Sequence, residues 1–153
     1  MLTSKTKYAL QALQALASRK TTEPVLIAQL AEAEAIPRKY LERILLELKA
    51  RGILRSQKGK GGGYALAKDA NEIPLADIVR WMDGPLAPVS CVSQTAYAPC
   101  RECKDEACCG IRLVMKEVRD SIAKILGATT LADMLRRSQD AKSASANILT
   151  YEI

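Results

Sequence analysis

The N-terminal third of the chain carries apolar stripes in helical rhythm, separated by short polar breaks. Tyr8, Ala9, Ala12, Leu13, Leu16 and Ala17 recur every three or four residues and predict a helix over roughly Thr3–Ser18. Arg19–Glu23 is polar. After Pro24 a second helix is predicted over Val25–Glu32, with Leu26, Ile27 and Leu30 buried. Pro37 suits a first helical position, and the third helix runs to about Arg51, where Gly52 stops it. On that helix Leu41, Ile44, Leu45 and Leu48 form the inward stripe at i, i+3, i+4 and i+7. Lys39 and Arg43 project from the opposite side beside Glu42, and Leu46 points outward.

The rhythm changes after Gly52. Ile53 and Leu54 open one short strand, and Tyr64 and Leu66 lie on a second. Between them Lys58-Gly-Lys-Gly-Gly-Gly63 makes a slim, positively charged hairpin tip. Three helices followed by a basic hairpin predict a winged helix-turn-helix. Pro74 then starts a short helix over Leu75–Asp83, which Gly84, Pro85 and Pro88 end. A polar loop follows, and a fifth helix is predicted over Gly110–Leu126. There Ile111, Met115, Val118, Ile122 and Ile125 step by 4, 3, 4 and 3, the spacing of a helix that packs along another. A second copy of the chain would bury that face; intrachain packing is the alternative. Thr130 caps a last short helix over Leu131–Arg137, with Asp133 completing a capping box. The segment 138–146 is small and polar and is expected to be mobile. Ile148, Leu149, Tyr151 and Ile153 could dock weakly. The expected fold is therefore mainly α: a winged helix-turn-helix over 1–84, a loop over 85–109, a dimerisation helix and short terminal helix over 110–137, and a flexible tail over 138–153.

Composition adds two constraints. There is no Phe, so Leu, Ile, Val and Ala must build the core. The net charge of +6 is unevenly placed: residues 1–68 hold 13 Lys/Arg against 5 Asp/Glu, and residues 69–153 hold 10 against 12. That asymmetry points to a nucleic-acid-binding half joined to a sensing or assembly half, with a merely solvated basic surface as the plain alternative. Neither a secretory signal nor an apolar run long enough to span a bilayer is evident, so a cytoplasmic, membrane-free protein is expected.

The candidate DNA-contacting residues follow from this layout. Lys39 and Arg43, flanked by Arg38 and Tyr40, present long donors to a major groove. Arg55, Lys58, Gly59, Lys60 and Gly61 form a wing that can reach backbone or minor groove. Thr3 and Lys5, at the start of the first helix, are candidates for phosphate contacts.

The second chemical signal is sulfur. All five cysteines, Cys91, Cys100, Cys103, Cys108 and Cys109, fall within residues 91–109, and the chain has no histidine. An odd cluster of thiols in a polar loop argues against a disulfide scaffold. It points to an iron–sulfur centre, a zinc site or a thiol redox switch. Only one C-x2-C knuckle is present, where a zinc ribbon normally has two. Cys109 lies just before the fifth helix, whose N-terminus would stabilise a thiolate. Cys108 is its immediate neighbour, and one of the two is expected to be a bystander. Cys91, Cys100, Cys103 and Cys109 are the candidate ligands. An iron–sulfur redox enzyme is a remote alternative, because no acid–base constellation accompanies the thiols.

The segments Pro37-Arg-Lys-Tyr-Leu-Glu-Arg-Ile-Leu and Arg55-Ser-Gln-Lys-Gly-Lys-Gly-Gly-Gly-Tyr-Ala-Leu, with Asp77-Ile-Val and the cysteine loop, resemble the Rrf-type winged-helix regulators. That family includes IscR, NsrR, RirA and CymR, and the resemblance spans roughly residues 1–135. It implies a homodimeric transcriptional regulator, typically a repressor, bound to palindromic promoter DNA. In many members the dimer carries a [2Fe–2S] or [4Fe–4S] cluster on three loop cysteines, and CymR-like members lack it. By this resemblance Cys91, Cys103 and Cys109 match the cluster cysteines, and Cys100 is additional. Arg112 stands where IscR has a ligating histidine, so four cysteines, or three with another group, would complete the site here. Glu42 matches an acidic residue that helps some members discriminate between operator classes.

Overall fold

The computed structural model describes residues 2–19 and 21–150, with side chains through Ser145. The elements are α1 (Ser4–Ala17), α2 (Ile27–Ala33), α3 (Arg38–Ala50), β1 (Leu54–Gln57), β2 (Gly63–Leu66), α4 (Leu75–Asp83), α5 (Gly110–Ala128) and α6 (Leu131–Thr150). Short 3-10 turns at Ala70–Glu72 and Ser90–Val92 join them. β1 and β2 form an antiparallel hairpin pairing Leu54 with Leu66 and Gln57 with Gly63.

The predicted inward stripes meet in one core. Ala9, Leu13, Leu41, Ile44, Leu45 and Leu48 have no exposed surface, and Ile78 of α4 joins them. Each buried leucine or isoleucine among them stabilises the fold by about 1.5–3 kcal/mol. Helix α2 begins two residues later than expected, because Val25 is recruited to the sheet. Its amide donates to the Tyr64 carbonyl (2.8 Å) and its carbonyl accepts from the Tyr64 amide (2.9 Å). The turn between α2 and α3 places Ala35 at φ 52°, a left-handed conformation that costs an alanine roughly 1–2 kcal/mol. Gln11 of α1 steadies that turn by donating to the Glu34 carbonyl (2.8 Å).

Two expectations about the C-terminal segment are corrected. The terminal helix does not stop at Arg137; α6 continues to Thr150, so most of the expected flexible tail is helical. Gln139, Ala141, Lys142 and Ala144 are good helix formers and favour the extension. Ser143 and Ser145 turn their hydroxyls onto the carbonyls of Gln139 (3.1 Å) and Ala141 (3.0 Å) within the helix. Nor is α6 separate from the N-terminal domain. Leu131 is fully buried in the core built by α1, α3 and α4. The Leu75 and Leu131 amides bond the carbonyls of Thr129 and Ile73, both at 2.9 Å. The predicted capping box is present, with the Asp133 amide donating to Thr130 Oγ1 (3.1 Å) and the Thr130 amide donating to Asp133 Oδ2 (3.0 Å). Docking by the side chains of Ile148, Leu149, Tyr151 and Ile153 lies outside the described residues.

Candidate nucleic-acid interface and thiol loop

Helix α3 buries Leu41, Ile44, Leu45 and Leu48 and turns Lys39 and Arg43 to solvent. Arg38 and Glu42 form an exposed i,i+4 pair (3.3 Å), an interaction of small energetic weight that leaves both at the surface. Tyr40 is exposed and meets Tyr8 of α1 edge to face, with ring centroids 5.7 Å apart. Leu46 is 57% exposed, as its position on the helix predicts.

The wing carries Lys58 and Lys60 at its exposed tip. Gly59 and Gly61 have φ of 92° and 78°, which glycine adopts without strain. Gly62 is required for space instead: a Cβ there would strike the Gln57 carbonyl and come within 2.8 Å of the Gly59 carbonyl.

Three basic or hydroxyl residues singled out for DNA are engaged within the chain. Lys5 Nζ pairs with Glu47 Oε2 of α3 at 2.7 Å. Arg55 Nη2 donates to the Thr22 carbonyl at 2.6 Å, tying the hairpin to the α1–α2 connection. Thr3 is the N-cap of α1, and its amide donates to Asp83 Oδ2 (2.9 Å) while its hydroxyl donates to Oδ1 of the same carboxylate. These interactions pin α1 to α3 and α4. The sequence shows such residues to be polar or charged but not where their charge is already matched. Arg51, just past α3, stacks over Trp81 of α4 (5.9 Å), linking the reading helix to the segment that leads into the thiol loop.

In that loop Cys91 is buried, Cys103 and Cys109 are half buried, and Cys100 and Cys108 are exposed. Cys109 is the N-cap residue of α5. The backbone N–H of Arg112, then the Cys103 thiol and the N–H of Ile111, donate to its sulfur and hold its pKa below the ordinary thiol value. Burial and the bond donated to Cys109 push Cys103 the other way. The remaining thiols turn elsewhere, Cys100 to Glu102 Oε2 (3.2 Å) and Cys108 to the Asp105 carboxylate. Cys91, Cys100, Cys103 and Cys109 are thus not gathered at one point. Among the described residues no three Cys, His, Asp or Glu side chains converge closely enough to hold an ion. Thiols have no attraction for one another comparable to that of a shared cation, so nothing in the chain alone draws these sulfurs together.

Two residues of this region are not evident from the sequence pattern alone. Arg112 Nε donates to the Cys91 carbonyl (3.3 Å), and Arg119 Nη1 donates to the Val92 carbonyl (2.8 Å). One signal does point to them: they lie seven apart on the face of α5 that also carries Met115 and Ile122, so charge interrupts an apolar stripe. Met115 and Ile122 are half buried, while Ile111, Val114, Val118 and Ile125 are 70%, 54%, 38% and 61% exposed. The exposed apolar face of α5 is thus rotated from the heptad stripe read in the sequence, since it includes Val114 while Met115 and Ile122 are half buried.

A helix-turn-helix whose outer helix bears lysine and arginine, flanked by a basic glycine-rich hairpin, defines a winged-helix DNA-binding protein. Similarity to known proteins carries this further. Residues 2–137 match the Rrf2 family, described as "Iron-dependent Transcriptional regulator". An rrf2-like HTH-type transcriptional regulator of Rhodobacter capsulatus is 42% identical over 138 residues, covering 88% of this chain and 92% of that one. IscR of Photorhabdus laumondii is 28% identical over 138 residues, covering 90% of this chain and 80% of that one. Among solved structures, CymR of B. subtilis superposes with a TM-score of 0.74 at 26% identity, covering 90% of this chain and 97% of that one. T. potens IscR gives 0.71 at 28% identity, covering 92% and 90%. The chain belongs to the Rrf2 family of DNA-binding transcriptional regulators. Among the described residues no helix is long and apolar enough to cross a membrane.

Proposed function

We propose that this regulator acts as a homodimer, as a repressor of palindromic promoter sites, and that an iron–sulfur cluster on the 91–109 loop controls its hold on DNA. The observation that carries the reading is the confinement of all five thiols to the 91–109 loop, which ends with Cys109 capping α5. The donor set suits the cluster, since every soft ligand in the loop is a thiol and no histidine competes. Cys91, Cys103 and Cys109 would hold it, with Cys100 or a non-sulfur group as the remaining ligand. When bound, such a cluster supplies a reversible one-electron centre that oxidants can disassemble. The chain's own part is to orient the sulfurs. Backbone N–H groups of Ile111 and Arg112 stabilise negative charge on Cys109, and Arg112 holds the Cys91 carbonyl against the same helix turn.

The exposed stripe Ile111, Val114, Val118 and Ile125 supports the dimer, since a lone chain leaves these side chains in water. A two-fold dimer presents two α3 helices and two wings, which requires a matching two-fold DNA site. Lys39 and Arg43 read the groove, with Arg38, Tyr40 and Glu42 beside them. Lys58 and Lys60 contact backbone at the tip shaped by Gly59 and Gly61. Thr3, Lys5 and Arg55 serve the interface by holding its frame. The location implied is the cytoplasm, where promoter DNA is.

Anaerobic purification followed by iron and acid-labile sulfide assays tests the reading. Coloured protein whose operator affinity changes on cluster loss, and whose Cys91→Ser, Cys103→Ser and Cys109→Ser variants lose iron, supports it. Colourless protein with operator binding indifferent to cluster reconstitution ends it.

A second reading is favoured by the mutual influence of Cys103 and Cys109, which shift each other's thiol pKa in opposite directions. The two could close as a disulfide, releasing two electrons and two protons to a thiol oxidant such as a peroxide. Peptide mass spectrometry of metal-free, oxidant-treated protein distinguishes it.

A further inference from the structure

Helix α5 buries one residue, and that residue is charged. Arg119 is 8% exposed. Its Nη1 donates to the Val92 carbonyl at 2.8 Å, and its Nη2 pairs with Asp120 Oδ1 at 2.8 Å. Its Nε is buried without a partner among the described residues. Two helical turns earlier, Arg112 Nε donates to the Cys91 carbonyl at 3.3 Å and faces Glu106 Oε2 at 3.6 Å. Glu106 is held in turn by the Tyr97 hydroxyl, which donates to it at 2.9 Å.

Two guanidinium groups on one helix face therefore grip two consecutive carbonyls. Those carbonyls belong to the 3-10 turn Ser90–Val92, which carries the one buried cysteine of the loop. The helix that grips them carries Cys109 at its start. Burying a guanidinium is costly, and a leucine at 119 would cover the turn more cheaply. A leucine could not fix the direction of a carbonyl, whereas the planar fork of an arginine does.

We propose that Arg112 and Arg119 are positioning residues of the thiol site, clamping the Cys91 turn onto α5 and so setting the reach between the first sulfur and the Cys103–Cys109 pair. This deepens the reading of the loop as a sensor and rests on it for its biological purpose. The clamp itself belongs to the metal-free chain and is measured there.

The experiment is site-resolved alkylation of reduced, chelator-treated, full-length protein, read by peptide mass spectrometry. Cys91 should react most slowly of the five in the wild type. Arg112→Met and Arg119→Met should each speed it by roughly ten-fold, the opening expected when one charge-assisted hydrogen bond is removed. Rates at Cys100 and Cys108 should stay within about two-fold, a pattern that general loosening of the fold would not give. Arg119→Lys, which keeps the charge and one donor direction, should fall between. Cys91 rates within two-fold of wild type in both methionine variants, with helical circular dichroism intact, overturn the clamp. If Arg119→Met fails to fold, Arg112→Met decides alone, because its side chain is 30% exposed where Arg119 is buried. Iron uptake and the visible circular dichroism of reconstituted protein are recorded in parallel. A wild type that takes up no iron or sulfide defeats the cluster reading and leaves the labelling result standing on its own.

Discussion

Replacing Gly63 with alanine probes how the wing is seated on the domain. Gly63 has φ 144° and faces the Val25 strand segment. A Cβ there would overlap the carbonyl group of Val25 and lie 2.8 Å from the Leu26 amide nitrogen. All these atoms are backbone, so none can rotate away. The substitution carries a conformational cost of about 1–3 kcal/mol for a side chain in glycine territory. It also forces apart the Val25–Tyr64 bridge, whose two bonds measure 2.8 and 2.9 Å, at about 1 kcal/mol each. The sum, about 3–5 kcal/mol, is a large share of the roughly 5–15 kcal/mol typical of a whole domain. Gly61→Ala is the matched control: its φ is also positive, at 78°, but no atom lies within 4 Å of the added Cβ. It should cost only the left-handed strain of about 1–2 kcal/mol. Urea titration followed by circular dichroism and Trp81 fluorescence measures both. At a slope of about 1–3 kcal/mol per molar, Gly63→Ala should lower the midpoint by about 2 M, roughly two to three times the shift of Gly61→Ala. Equal shifts would refute the claim that close approach to Val25, rather than φ alone, fixes this glycine.

Lys39→Ala and Arg43→Ala should each weaken operator binding by about 1–3 kcal/mol in a gel-shift or anisotropy titration, with the melting temperature unmoved. Lys58→Ala and Lys60→Ala should lower the salt dependence by about 0.9 in log–log slope for each phosphate no longer neutralised; an unchanged slope removes the wing from the interface. A Val118→Glu, Ile125→Glu double variant should sediment as a monomer while keeping its helical content, and a persisting dimer would place the interface elsewhere. Asp133 sits below the usual carboxylate range because the Thr130 amide, then the Thr130 hydroxyl and Arg136, bond its charged form. Its stabilising contribution is therefore complete above the ordinary value of 3.8 and is lost as pH falls through the lower folded value. Asp133→Asn should flatten that acid-side decline in thermal melts, and superimposable profiles would refute the assignment.

Much of this layout is legible in local pattern. The stripes of α1, α3, α4 and α5 are clear because a helix repeats every 3.6 residues and its buried side recurs with it. The hairpin is clear because its tip needs glycine. The thiol loop stands out because sulfur is concentrated there and histidine is missing. The end of α6 is not legible, since small polar residues read equally as tail or as helix once their hydroxyls bond back to the previous turn. Val25 is ambiguous because a β-branched residue after proline suits a strand edge or a helix start.

The chain by itself determined periodicity, charge distribution and the donor types in the loop, because these depend on neighbours a few positions away. The folded arrangement alone decided which charged groups are free. Lys5 and Arg55 differ from Lys39, Arg43 and Lys58 in having partners 42 and 33 positions distant, and the Thr3 cap has one 80 positions distant. Arg112 and Arg119 acquire their role in the same way, from carbonyls brought to them by a turn 21 and 27 positions earlier. Interactions of that span depend on where a side chain ends in space, and no repeat or local propensity encodes it.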